Sequence, residues 1–182
     1  MTKYEEQLRY IFSNVNEWLK FAEAKNLGLL TLVAAIDFGL TQITFSKENE
    51  IQTIVYYVFL PITSFSFLSS LVSVFPILSK IEKGYLVKSM ITKLSNLIDK
   101  EEFFENIHYY GYLRSLDEVD FENKFLTKVN STVAFTQYEK ELSEQILYNS
   151  RITWIKYQFF KIGAFFFLLA IIFFIILLPI FL

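Results

Sequence analysis

Residues 162–182 read IGAFFFLLAIIFFIILLPIFL, without one charged side chain, and seventeen of them are Leu, Ile or Phe. A helix of about 20 residues spans the ~30 Å hydrocarbon layer of a bilayer. Each Leu, Ile or Phe near its centre favours insertion by roughly 0.3–0.6 kcal/mol. The segment is therefore expected to be a membrane-spanning C-terminal anchor, with its carboxylate at the far interface.

Two further stretches are nearly as free of charge. Residues 26–46 carry only Asp37, and residues 51–79 carry none. The second stretch is longer than a span requires, and Pro61 and Pro76 offer kink points within it. Lys47-Glu48-Asn49-Glu50 reads as a tight turn joining the two spans into an antiparallel hairpin. The segment between the second and third spans, residues 80–161, holds twelve of the basic residues. Lys20, Lys25, Lys80, Lys83, Lys88, Arg151, Lys156 and Lys161 flank the spans on one side. The positive-inside rule puts that side in the cytoplasm. The expected fold is an all-α membrane protein with three transmembrane helices, N-in and C-out, extended into a cytoplasmic helical domain. Its parts are a cytoplasmic amphipathic helix at 1–25, spans at 26–46, 51–79 and 162–182, and the cytoplasmic helical domain at 80–161.

Mean hydropathy of +0.36 and 53% hydrophobic residues agree with a membrane protein. A net charge of −2 gives no general attraction for a nucleic acid polymer. The absence of cysteine excludes disulfides, iron–sulfur clusters and thiolate zinc sites. The start, MTKYEEQLRY, has acidic residues where a signal peptide needs a basic, then apolar, run, so no cleaved signal is expected.

Tyr4, Leu8, Ile11, Phe12, Val15, Trp18, Leu19 and Ala22 recur at helical spacing between polar positions. One unbroken helix from about Tyr4 to about Phe45 is the simplest reading. Its apolar face packs on the remaining cytoplasmic residues or lies on lipid headgroups, and the balanced charge favours packing. A second long helix is expected from about Thr132 through Leu182, with Tyr138, Leu142, Gln145, Ile146, Asn149, Ile152, Thr153 and Lys156 on one broad face. Shorter helices are expected at 82–98, 101–108 and 117–128, with a turn at Gly111 and a possible extended run at 132–135.

Asp37 in mid-span costs roughly 2.5–3.5 kcal/mol if ionised and facing lipid, so it should face protein or water. Thr63, Ser66, Ser70 and Ser73 share one stripe of the second span. Asp37, Ser66, Ser70 and Ser73 either bind helices together or line a watery path in an oligomer. His108 is the one histidine, which with no cysteine makes no zinc site, so no metal is expected. No GxSxG, HExxH or phosphate-binding glycine loop occurs, so no enzyme activity and no cofactor are expected.

NVNEWLKFAEAKNLGLLT (14–31) runs into the first span, and LSEQILYNSRITWIKYQFFKIG (142–163) runs into the last. Between them lies SNLIDKEEFFENIHYYGYL (95–113). In order and spacing these resemble the Pycsar transmembrane effector family of bacterial antiphage defence. The resemblance implies a bacterial inner-membrane effector. It would answer a cyclic nucleotide, cyclic CMP or cyclic UMP, made by a partner cyclase, and impair membrane integrity in an abortive infection. A homo-oligomer in the lipid bilayer is expected.

A cyclic nucleotide presents a phosphate anion and an aromatic base, so its site needs cations, amides and a stacking surface. Lys25 and Asn26 on the first helix, with Gln145, Asn149, Arg151 and Lys156 on the last, are the expected ligand residues. Trp18, Tyr148, Trp154 and Tyr157 are the aromatic faces. The alternatives are interfacial lysines, an aromatic belt and interhelical amide packing. The competing function is a membrane-anchored scaffold or sensor that recruits a soluble partner and leaves lipid intact. A small transporter is a third reading.

Overall fold

The computed structural model describes residues 3–45, 55–74 and 105–177, with Ser89, Lys93 and Pro179 as single positions. The turn at 47–50, residues 51–54 and 75–79 of the second span with Pro76, residues 101–104, the remainder of the 82–98 helix, and residues 178 and 180–182 of the third span lie outside the described residues. Among the described residues all regular structure is helical, and three helices are long and apolar enough to cross a membrane.

Helix α1 runs Lys3–Phe45, 43 residues without interruption, or about 65 Å. It passes straight through Gly28, because one glycine costs a helix only about 1 kcal/mol relative to alanine. After it, Val55–Phe59 forms a π-helical turn and α2 runs Leu60–Val74. Pro61 lacks the N–H that would reach the Tyr57 carbonyl, so the expected kink point coincides with this wider turn. A short α3 covers Tyr110–Leu113, α4 covers Glu118–Lys128 and α5 covers Gln137–Leu177, 41 residues.

The ends of these elements follow from local chemistry. Asp117 caps α4, its carboxylate accepting from the Asp120 amide at 2.7 Å. Asn130, at φ 52°, closes α4. The Ser131 amide donates to the Leu126 carbonyl and the Asn130 amide to that of Thr127, which is a Schellman ending. Thr136 and Glu139 form a capping box at the start of α5. The Thr136 amide and hydroxyl both donate to Glu139 Oε2 at 2.8 Å. That box is why α5 begins at 137 rather than at 132. The possible extended run at 132–135 is not a strand. Its end is tied down where the Phe135 amide donates to Glu122 Oε1 at 2.7 Å.

Two other expectations are corrected. Residues 105–109 are not helical, so the helix expected to reach His108 does not; a turn is closed there by the Tyr109 amide donating to the Asn106 carbonyl at 2.9 Å. Gly111 lies inside α3 rather than at a turn, where a Cβ would strike the ring of Tyr109.

The chain divides into two compact units, Met1–Ala22 with Glu101–Tyr157, and Glu23–Lys100 with Gln158–Leu182. In the first unit, Leu8, Ile11 and Val15 of α1 meet Leu113, Phe121 and Phe125, with Leu142, Ile146 and Leu147 of α5 closing the core. The apolar face of α1 thus packs on protein, as its balanced charge suggests. In the second unit, Leu29, Val33 and Phe167 form the core, with Phe67 of α2 beside them. Gly163 lets the helices approach closely. A Cβ there would lie 3.0 Å from Leu29 Cδ2, 3.2 Å from Ser70 Oγ and 3.3 Å from the Ser66 carbonyl oxygen.

Candidate functional site

The residues expected to hold a ligand fall into the two units. In the second, Asn26 is fully buried and Lys25 Nζ sits 5.3 Å from the Phe160 ring centroid, a cation–π contact. In the first, Asn149 Nδ2 donates to Asn16 Oδ1 at 2.8 Å, and Arg151 Nη2 donates to the Leu116 carbonyl at 3.2 Å. Lys156 is buried at 6% exposure. Gln145 is exposed rather than set in an apolar face. The buried face of α5 is rotated from the expected one and runs through Glu139, Leu142, Ser143, Ile146, Ser150 and Thr153. Ser150 and Thr153 sit in that face because their hydroxyls donate back to the Ile146 and Asn149 carbonyls.

Two of the aromatic faces expected to receive a base, Tyr157 and Trp154, are covered by protein. The Tyr157 ring stacks on Tyr110 at 5.2 Å between centroids and 11° between planes. Trp18 tilts against Tyr110 at 5.6 Å. The Arg114 guanidinium lies 3.9 Å from the centroid of a Trp154 ring. Trp18 and Tyr148 stay exposed, at 36% and 44%.

A different set of residues, which sequence reasoning missed, surrounds a hollow of about 560 Å³ in the first unit. Its polar wall is Glu6, Gln7 and Tyr10 from α1, His108 from the turn before α3, and Lys128 from the end of α4. Its floor includes Ile11 and Phe125 of the core. Asn14 Nδ2 donates to the His108 carbonyl at 2.8 Å, fixing the turn to α1. The His108 ring then meets Tyr10 edge-on at 5.8 Å. Desolvation, then the nearby charge of Lys128, hold the His108 imidazole below its ordinary value. Gln7 Oε1 is buried and accepts no hydrogen bond among the described residues. The one signal in the sequence was a lone histidine followed by two tyrosines.

In the second unit Thr63 donates to Asp37 Oδ2 at 3.1 Å, and Asp37 Oδ1 is buried without a hydrogen-bond partner among the described residues. Asp37 lines a smaller hollow of about 400 Å³ with Ala34, Ser64, Phe67 and Leu68. Ser66, Ser70 and Ser73 are buried on the stripe expected for them. Among the described residues no group of His, Asp and Glu is placed to hold a metal ion.

Helices of this length and hydropathy define a multi-pass helical membrane protein. The profile of the Pycsar effector protein domain matches residues 7–182, and the chain belongs to that family. It is thus an antiphage effector in cyclic-nucleotide signalling, in a family of effectors rather than of enzymes. No curated protein and no solved structure matches the chain.

Proposed function

We propose that this protein is an inner-membrane effector that binds cyclic CMP or cyclic UMP made by a partner cyclase and then impairs the membrane, halting the infected cell. What supports this reading, beside the family match over 7–182, is one observation. Helices α1 and α5 each continue without a break through Lys25 and Lys161 into the apolar segments. A ligand that prefers one arrangement of the water-facing helices shifts the population of that arrangement. Unbroken helices then carry the shift into the lipid as a tilt. Orientation is N-in and C-out by the distribution of Lys and Arg. Several copies assemble, because three helices with a single intramembrane carboxylate enclose no useful channel.

The test is made in bacterial cells producing the protein with and without a pyrimidine nucleotide cyclase. A voltage-sensitive dye should report depolarisation only when both are present. Polarised membranes together with messenger-dependent capture of a soluble protein would favour the scaffold reading instead.

A further inference from the structure

We infer that the hollow bounded by Gln7, Tyr10, His108 and Lys128 is the seat of the cyclic nucleotide, an assignment that rests on the function proposed above. Each part of such a ligand meets a matching group. The base needs an aromatic surface, and Tyr10, 67% exposed, presents one beside His108. The single phosphate needs a cation, and among the described residues Lys128 is the one lysine or arginine on the wall and has no ion pair. The free ribose 2′-hydroxyl is a donor, and the Glu6 carboxylate is an acceptor on the same wall. The base edge carries amide-like donors and acceptors, and the Gln7 amide ends at the hollow with its buried oxygen unused.

The volume has room for a nucleotide. About 560 Å³ falls within the range of pockets that enclose drug-sized ligands. A cyclic oligonucleotide brings at least a second phosphate, for which the wall has no second cation among the described residues. The six residues expected from the sequence offer less, since Asn149 and Arg151 are already committed to Asn16 and Leu116. The faces of Tyr157 and Trp154 are likewise occupied by Tyr110 and Arg114. The hollow also has a route to the membrane segments, because its α1 wall belongs to the same unbroken helix as the first apolar stretch.

The experiment measures binding of cyclic CMP, cyclic UMP, cyclic AMP, cyclic GMP and cyclic di-GMP by the full chain in lipid nanodiscs. A cyclic mononucleotide should bind and cyclic di-GMP should not. Tyr10→Ala and Lys128→Glu should each weaken binding at least about tenfold. Both side chains are exposed, so neither change disturbs the core. The 2′-deoxy form of the bound nucleotide should bind several-fold more weakly to the unchanged protein, and Glu6→Gln should shrink that difference. Binding by the unchanged protein with full affinity in both variants would overturn the site while leaving the proposed function standing. Preference for cyclic di-GMP would also overturn it. No binding of any of the five would overturn the function and the site together.

Discussion

Asn149 donates from Nδ2 to Asn16 Oδ1 across 2.8 Å, joining the last helix to the first with an amide pair 133 positions apart in the chain. Both groups are half-buried, so removing one leaves the other short of a partner in a poorly hydrated place. Asn149→Leu should destabilise the protein by about 1–3 kcal/mol. The double variant Asn16→Leu with Asn149→Leu should recover part of that loss. Denaturant unfolding of the detergent-solubilised protein, analysed as a double-mutant cycle, measures both.

Gly163 faces Leu29, Ser66 and Ser70 where a Cβ would lie within 3.0–3.3 Å. The Leu29 methyl can rotate away, whereas the Ser66 carbonyl belongs to a helix backbone. Gly163→Ala should therefore cost about 1 kcal/mol, and Gly163→Val, with two further methyl groups, about 2–3 kcal/mol through overpacking. Melting temperatures in one detergent would show the order wild type, then Ala, then Val.

The long elements were legible in the sequence because nothing contradicts them. From Tyr4 to Phe45 the apolar spacing is steady and no proline intervenes, so α1 could be read almost to the residue. The charge-free runs gave the three apolar helices for the same reason. The rotation of α5 was not legible. Its first turns mix Glu, Lys, Ser and Gln, and the buried face uses Glu139, Ser143 and Ser150, whose polarity is absorbed by a cap or by backbone carbonyls. The Thr136-x-x-Glu139 signature was the available clue to where α5 begins. The hollow was the least legible feature, because Gln7, His108 and Lys128 come from three distant stretches with no shared local pattern.

His108 sets a pH dependence. In the unfolded chain it takes a proton near its ordinary 6.5, but in the folded protein desolvation, and after it Lys128, push that value down. Between the two values the unfolded state binds more protons, so stability falls as pH drops below about 6.5 and this contribution vanishes at higher pH. His108→Gln should remove that part of the acid sensitivity. Melting temperatures of both proteins from pH 7.5 to 5 test it, and parallel curves would contradict the placement of the imidazole.

Asp37 keeps one carboxylate oxygen without a hydrogen-bond partner among the described residues, beside a hollow of about 400 Å³. In the proposed function this carboxylate lines a polar path through the membrane. Asp37→Leu should reduce messenger-dependent ion flux at least several-fold while the protein still inserts and still binds nucleotide. Unchanged flux would reduce Asp37 to a partner for Thr63.

In the proposed function a cyclic nucleotide, sensed outside the lipid, changes what the apolar helices do within it. The direct test uses purified protein in liposomes loaded with a self-quenching dye, with cyclic CMP or cyclic UMP added outside to vesicles whose water-facing units point outward. Rapid, saturable dye release that Lys128→Glu suppresses is the predicted result. Vesicles that stay sealed while the nucleotide is demonstrably bound would contradict the claim.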